Sequence, residues 1–225
     1  MKKIFILIIL IPTTILGATL KEKENKYNYF VSKITPTIKE RMINGNSWKK
    51  ECPIKLEDLR YIKLSYWDFN NIEQTGEIIV HKELSDDVVD IFKEFYDKKY
   101  LIYSLKLVSD FKADDNRSMA ANNSSAFNCR KVAGTKSWSN HTYGRAIDIN
   151  PIQNPYIRKN GVVEPENGKK YVDRKIKHHA IIRKNDLVYN IFKKYNWFWG
   201  GNWRTVKDYQ HFQKKRKLIK KIFKK

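Results

Sequence analysis

The first well-patterned apolar segment of the chain is 61–68, YIKLSYWD, which is rich in aromatic and branched side chains. Such residues are typical of a strand on a partly buried sheet surface. A second apolar run follows at 78–80, and Asn70, Asn71 and Gly76 lie between the two runs. Because these residue types favour turns, the pattern predicts a β-hairpin.

Two helices are predicted from apolar residues that recur every three or four positions. The first begins near Ser85, where Asp86 and Asp87 complete a helix start signal. Its apolar side is formed by Val88, Ile91, Phe92, Phe95 and Tyr96. The second helix is predicted over 185–195, and its apolar side is formed by Val188, Ile191, Phe192 and Tyr195.

The remaining segments are patterned less regularly. Residues 100–108 and 208–213 are predicted as strands, whereas 109–137 has no periodicity and is rich in Asp, Asn and Ser. A loop of that length in a compact domain is usually functional or disordered. We interpret it as functional because it leads directly into the segment around His141. Prolines and glycines after Asn150 predict an irregular insertion.

The N-terminal segment 1–18 has the pattern of a secretory signal peptide. Lys2 and Lys3 precede an apolar run, and small residues follow it up to Ala18, after which we expect cleavage, with cleavage after Gly17 as the alternative. The apolar run is shorter than the ~20 residues that span a bilayer, so an uncleaved membrane anchor is the less favoured alternative. The prediction is an exported protein that works in the periplasm, the cell wall or outside the cell.

The length of 225 residues suits one sizeable domain rather than two. We predict a polar lead-in over 19–51 without well-defined elements, in which Pro36 disfavours a helix. The main domain is predicted over 52–213. Residues 214–225 are mostly basic with apolar residues at helical spacing, which predicts a basic amphipathic tail.

The chain is strongly basic, with a formal net charge of +21. Such a surface attracts polyanions. An exported protein meets anionic wall polymers and membrane surfaces before it meets nucleic acid. We interpret the basic tail as a solvated face, with anchoring to an anionic wall polymer or membrane surface as the alternative. We expect no specific nucleic-acid partner, and the sequence carries no signal for the oligomeric state.

The predicted export favours oxidation of the two cysteines, Cys52 and Cys129, because thiols outside the cytoplasm tend to be oxidised. A disulfide between them would close a long loop and stabilise the fold by about 4 kcal/mol in the chain-entropy model. Two reduced, buried cysteines are the alternative. The chain has no CxxC pair, so neither a zinc ribbon nor a thioredoxin-type site is indicated.

The candidate chemistry is concentrated in two segments. In SNHTYGRAIDIN, residues 139–150, His141 and Asp148 lie seven positions apart across a turn that contains Gly144. Near the C-terminus, WFWGGNWRTVKDYQHFQ supplies His211. Catalytic zinc commonly has three His or carboxylate ligands and an open fourth position. The sequence therefore predicts one Zn²⁺ ion held by His141, Asp148 and His211.

Asp208 precedes His211 by three positions and is left over as a carboxylate beside the predicted metal site. We interpret it as a general base that takes a proton from the attacking water during amide hydrolysis. On a regular strand, Asp208 and His211 would face opposite ways. Either Asp208 lies just before the strand or the backbone bends between the two residues.

A cation would stabilise the oxyanion of the tetrahedral intermediate. Arg130 in the predicted functional loop is the first candidate, with a surface cation as the alternative interpretation; Arg117 is second and Arg145 third.

Other histidines and tryptophans have plainer interpretations. Three histidines lack a partner carboxylate at metal spacing and are interpreted as solvated surface residues, namely His81, His178 and His179. Trp197 is interpreted as core, whereas Trp199 and Trp203 either belong to the core or line a substrate groove.

The two segments carry a resemblance to a known family. SNHTYGRAID resembles the SxHxxGxAxD signature of bacterial zinc D-alanyl-D-alanine carboxypeptidases and of their dipeptidase and endolysin relatives. WGGNWRTVKDYQHF resembles the second signature of that family, in which an acidic residue precedes the third zinc ligand by three positions. The flanking DDNRSMAANNSSAFNCR and DINPIQNPY are similar to an exported branch of the family, so the resemblance spans roughly 52–213.

The resemblance implies a role for each matching residue. It implies zinc ligands shared between the two motifs, namely His141, Asp148 and His211. It also implies Asp208 as catalytic base, Ser139 as a hydrogen-bonding support, and Arg130 as the group that holds substrate or oxyanion. Some members have Glu where this chain has Asp208, which has the shorter reach. The implied fold is α+β and hedgehog/D-Ala-D-Ala-peptidase-like, a small antiparallel sheet with flanking helices and a zinc cleft on one sheet face.

Two classes of function follow. The first is a zinc metallopeptidase that acts on peptidoglycan stem peptides, with D-Ala-D-Ala carboxypeptidase activity favoured over endopeptidase activity. The second is a non-catalytic basic protein that binds wall polymer or nucleic acid. Asp208 favours the enzyme, because a protein that only binds has no need of a base beside its metal.

Overall fold

The computed structural model describes residues 26–215 of the chain. The predicted signal peptide lies outside the described residues, as does all of the predicted amphipathic tail except Lys214 and Lys215. Across 26–215, no helix combines the length and the apolar character that a membrane crossing requires.

The described part of the chain is an α+β structure of small antiparallel sheets and a few helices, which confirms the predicted class. The helices are α1 (Pro36–Asn44), α2 (Ser85–Asp97), α3 (Asp115–Ala120) and α4 (Leu187–Lys194). The strands are β1 (Tyr29–Lys33), β2 (Leu59–Trp67), β3 (Glu73–His81), β4 (Ser104–Leu105), β5 (Asn123–Ser124), β6 (Ala146–Asp148), β7 (Tyr156–Ile157), β8 (Val163–Glu164), β9 (Phe198–Trp199), β10 (Lys207–Asp208) and β11 (His211–Gln213).

The predicted hairpin is confirmed as the antiparallel pair β2–β3. Its turn contains Asn71, whose backbone has a positive φ of 59°. Gly76, which the sequence suggested as a turn residue, lies instead within β3 opposite Leu64. A Cβ at Gly76 would come within 2.5 Å of the Leu105 side chain, so this position needs a residue without a side chain because of packing.

The polar lead-in, predicted to have no well-defined elements, contains β1 and α1. β1 pairs antiparallel with β2 at the edge of the first sheet. Its residues are mostly exposed or half-buried, so the strand shows no strong apolar alternation. Pro36 occupies the first turn of α1, where a missing N–H costs nothing, and the Thr35 hydroxyl caps the helix by accepting from Ile38 N–H.

The main core lies between the first sheet and α2, whose predicted apolar side is confirmed as buried. α4 packs against α2 and is confirmed, one turn shorter than predicted, with Asp186 as its N-cap. Most of the predicted strand 100–108 is wrong, since only β4 forms there. The predicted loop 109–137 contains α3 and β5, whose short lengths gave no readable period.

The two cysteines form the predicted disulfide, Cys52–Cys129. Cys129 is buried in a second apolar cluster that includes Met42 of α1 and Leu59 of β2. The bond joins residues separated by 77 positions and connects the start of the main domain to the segment before the His141 turn.

Candidate metal centre

His141, Asp148 and His211 converge in the structure, with candidate ligand atoms that all lie within 4.8 Å of one another. His141 Nε2 is 3.2 Å from Asp148 Oδ2 and 3.2 Å from His211 Nδ1. His211 Nδ1 is 3.0 Å from Asp148 Oδ1. Two imidazoles and a carboxylate are thus gathered around one point.

A short 3₁₀ turn over Asn140–Tyr143 carries His141. Ser139 caps it, since the Ser139 hydroxyl accepts a hydrogen bond from His141 N–H at 3.3 Å. Gly144 ends it with a left-handed backbone, φ 62°. A Cβ there would lie 2.4 Å from His81 N, so glycine is required both by the backbone angle and by the close approach of β3.

Asp148 and His211 are direct partners across the antiparallel strands β6 and β11. The next pair along these strands, Ile147 and Phe212, is fully buried in the main core. Because side chains alternate along a strand, burying Ile147 and Phe212 on one face directs Asp148 and His211 to the other. Core packing therefore orients two of the three candidate ligands.

The predicted final strand 208–213 is divided into β10 and β11, which belong to different sheets. β10 pairs with β7, whereas β11 lies between β6 and β9. The break falls at Tyr209 and Gln210. It resolves the spacing problem, since the backbone bends between Asp208 and His211.

Each candidate histidine also makes an outer contact that sets which ring nitrogen faces the centre. His141 Nδ1 lies 2.5 Å from the Ala126 carbonyl oxygen, to which it donates, so the lone pair of the neutral ring is on Nε2. His211 Nε2 lies 3.0 Å from Gln213 Oε1, which leaves Nδ1 as the inward atom. Such outer partners are a regular feature of metal-binding histidines.

The three side chains are electrostatically coupled. Burial raises the pKa of Asp148, but the charges and hydrogen bonds of His141 and His211 outweigh it and hold the pKa well below its usual range. Burial lowers the pKa of His211, but the hydrogen bond and charge of Asp148 raise it to about 9. The two shifts have one cause, since Asp148 and His211 each stabilise the charged form of the other.

Asp208 lies beside this group. The backbone of Gly200 lies close to both Asp208 and His211, because a Cβ at Gly200 would be 2.9 Å from Asp208 Cβ and 3.3 Å from His211 Cβ. Asp208 Oδ1 is sealed from solvent and has no hydrogen-bond partner among residues 26–215. Burial raises the pKa of Asp208 to about 7, against the opposing charge of His211. A carboxylate in this environment is suited to accept a proton.

Arg130 makes an ion pair with Asp115 of α3 through its Nε atom. Asn128 Nδ2 donates to the other Asp115 oxygen at 2.7 Å, so Asp115 is held from two sides. Burial raises the pKa of Asp115, while Arg130 and His141 act against that change. The positive charge of Arg130 also lowers the pKa of Asp208, so Arg130 interacts electrostatically with the candidate base.

The other candidate arginines are placed differently. Arg117 lies exposed on α3. Arg145 is buried and pairs with Glu83, and its Nη2 lies 3.5 Å from His81 Nδ1. His81 is therefore not the solvated residue that the sequence suggested, because the close approach of β3 to Gly144 buries most of its ring.

The tryptophans divide between core and site. Trp197 and Trp199 are both buried in the main core. Trp203 is partly exposed, and its ring centroid lies 5.3 Å from that of His211. Trp203 also lines a cavity of about 350 Å³ with Phe198 and Lys193, so one ring borders both the cavity and the candidate metal centre.

Sequence reasoning missed several residues of the site. Asp115, Ala126 and Gln213 contact Arg130, His141 and His211 respectively, yet none of them stands at a recognisable spacing from its partner. For Gly200 a signal existed, since a glycine pair between tryptophans in WGGNW is typical of a close backbone approach.

The comparisons with known proteins agree with the two motifs. Residues 133–214 match the family described as D-alanyl-D-alanine carboxypeptidase. The matched segment is less than half of the chain but contains His141, Asp148, Asp208 and His211, whereas Arg130 precedes it. No curated protein and no solved structure gives a significant match. Over this segment, the chain is similar to the D-alanyl-D-alanine carboxypeptidase family.

Proposed function

We propose that the protein is an exported zinc metallopeptidase that hydrolyses peptide bonds in peptidoglycan stem peptides, with removal of the terminal D-alanine as its main reaction. The observation that carries the proposal is the convergence of His141, Asp148 and His211 next to the half-buried Asp208. Its Oδ1 is sealed from solvent and has no hydrogen-bond partner among the described residues. Export rests on the signal-peptide pattern of 1–18, and the active domain is assigned to 52–213.

The donor set fits zinc, which is bound in proteins by imidazole nitrogen and carboxylate oxygen and keeps an open position in catalytic sites. His141 Nε2, a carboxylate oxygen of Asp148 and His211 Nδ1 would hold the ion. When bound, zinc would polarise the scissile carbonyl and make water a better nucleophile.

Asp208 acts as the proton carrier in this mechanism. As water adds its oxygen to the carbonyl carbon, one proton passes to Asp208 Oδ1, which has no competing partner among the described residues. The same proton then passes to the amine nitrogen as the carbon–nitrogen bond breaks. The products are a shortened peptide acid and a free amine, and Asp208 returns to its starting state.

Arg130 supplies the positive charge that a carboxypeptidase needs for the free carboxylate of its substrate. Its side chain is about one-third exposed, and Asp115 contacts Nε. A guanidinium with one edge occupied can present its remaining N–H groups to a second carboxylate. In this arrangement Asp115 positions Arg130 towards the substrate.

The experiment is a digestion of purified muropeptides by the mature protein, with products identified by mass. Pentapeptide stems, tetrapeptide stems and cross-linked dimers are digested separately, with and without a chelator. Chelator-sensitive loss of one alanine from pentapeptides alone supports the carboxypeptidase. Asp208→Asn serves as the matched control, because it retains the size and the metal ligands but removes the base.

Two other outcomes reject the proposed reaction in favour of the alternatives. Cleavage within the stem or of the cross-linked dimers would identify an endopeptidase with the same site. Absence of product from a protein shown to bind zinc would identify a basic wall-binding protein.

A further inference from the structure

Gln213 and Asn140 form a hydrogen-bonded pair behind His211. Gln213 lies two positions after His211 in β11, so both side chains project from the same face of the strand. Gln213 Oε1 is 3.0 Å from His211 Nε2 and accepts a 2.6 Å hydrogen bond from Asn140 Nδ2. Because Asn140 directly precedes His141, one oxygen atom connects the turn that carries His141 to the strand that carries His211.

The chemistry of this oxygen decides the state of the His211 ring. A glutamine carbonyl oxygen has two lone pairs and accepts two hydrogen bonds. Asn140 occupies one, and the other accepts the proton of His211 Nε2. A neutral imidazole that donates from Nε2 has its lone pair on Nδ1, and Nδ1 is the atom 3.0 Å from Asp148 Oδ1.

We propose that Gln213, anchored by Asn140, is a positioning residue that holds His211 in the tautomer and ring orientation needed to bind the metal. The inference rests on the proposed metal site and extends it beyond the three ligands. Gln213 and Asn140 are both partly buried, where hydrogen bonds are electrostatically stronger than in water. The backbone supports the same connection, since Lys214 N–H donates to the Arg145 carbonyl next to this pair.

The test is the affinity for zinc itself, measured by competition with a chromogenic chelator. Gln213→Leu should weaken zinc binding by about 10- to 100-fold, which is the usual effect of losing an outer partner of a metal-binding histidine. Gln213→Glu keeps an acceptor and should restore affinity to within a few-fold of wild type. Asn140→Ala should cause a smaller loss, and Gln74→Leu on an exposed position of β3 should cause none.

The Nε2–H signal of His211 distinguishes a loss of ring positioning from a general loss of structure. In zinc-loaded protein with ¹⁵N-labelled histidine, His211 should show a protected Nε2–H, and Gln213→Leu should lose that protection. Thermal melting of the metal-free variants checks the fold, and if Gln213→Leu does not fold, Gln213→Glu and Asn140→Ala carry the test.

The outcomes separate this inference from the proposed reaction. Wild-type zinc affinity and an unchanged Nε2–H signal in Gln213→Leu would overturn the positioning role. Failure of the wild-type protein to bind zinc would overturn it together with the ligand set. The expected order of affinities in a protein that cleaves no muropeptide would support the positioning role while rejecting the peptidase.

Discussion

Asp148 and His211 lie opposite each other across two antiparallel strands, with His211 Nδ1 3.0 Å from Asp148 Oδ1. Their strand neighbours, Ile147 and Phe212, are buried in the main core. The geometry of the candidate metal centre is therefore coupled to the packing of the domain. Binding of a metal should stabilise the fold, because the ligands are gathered only in the folded chain.

Zinc should raise the thermal stability of the wild-type protein, by about 2.7 kcal/mol at a free zinc concentration of 100 times Kd. Asp148→Asn should abolish most of this gain, because an amide is a much weaker ligand for zinc than a carboxylate. The measurement is thermal unfolding at several zinc concentrations, with chelator-treated protein as the reference. An equal zinc-dependent gain in wild type and Asp148→Asn would exclude Asp148 as a ligand.

Asp208→Asn should retain zinc and lose turnover by about 10²- to 10⁴-fold, the usual contribution of a general base. His141→Ala should lose both zinc and turnover. Zinc content and kcat are measured on the same preparations. Near-normal kcat in Asp208→Asn would show that another group takes the proton.

The pH dependence of kcat/KM should show an acid limb set by Asp208, because only the carboxylate form accepts a proton. Burial raises its pKa to about 7, and a bound cation would lower it. The limb should therefore lie between the ordinary aspartate pKa of ~3.9 and about 7, with activity rising as pH rises. The measurement is kcat/KM across that range for wild type, with Asp208→Glu expected to shift the limb.

Asp115→Asn should raise KM by about 10-fold with a smaller change in kcat, since it releases Arg130 without removing the cation. Arg130→Ala should raise KM further, and neither change should alter zinc affinity. Steady-state kinetics on a pentapeptide stem test this. Unchanged kinetics in both variants would mean that the Arg130–Asp115 pair only stabilises the loop.

The ion pair between Arg41 and Glu77 should make stability depend on pH. Arg41 Nη2 is 2.7 Å from Glu77 Oε2. Burial raises the pKa of Glu77, but hydrogen bonds from Arg41 and Tyr61 outweigh it and lower the pKa below 4.5. A folded-state pKa below the unfolded-state value means that ionised Glu77 stabilises the fold above about pH 4.5, and that this contribution is lost as pH falls through the folded-state pKa.

Glu77→Gln should therefore reduce the free energy of unfolding by about 1–3 kcal/mol at pH 7 and by much less near pH 3. Urea unfolding of metal-free protein at several pH values measures the difference. Glu57→Gln is the matched control, because Glu57 is largely exposed and its pair with Lys55 contributes little. A pH-independent loss in Glu77→Gln would assign its role to packing.

The spacing of apolar residues along the chain was sufficient to predict the elements that bury one face at a regular period. The β2–β3 hairpin, α2 and α4 were predictable because each buries one regular face in the main core. β1 and α1 were not, since β1 is a largely exposed edge strand and α1 has one fully buried residue, Met42. β1 is stabilised by pairing with β2, and α1 by the ion pair of Arg41. Neither contact produces a periodic pattern of apolar residues in the local sequence.

The same distinction holds at the candidate site. The sequence by itself determined which residues could bind a metal and which could act as base, because His141, Asp148, Asp208 and His211 stand in two motifs whose chemistry is local. Only the tertiary structure decided how they are arranged: which ring nitrogens face inward, the bend that brings Asp208 beside His211, and the contacts of Gln213 and Asp115. Those contacts join segments far apart in the chain, so they depend on packing between elements rather than on the spacing of residues within one.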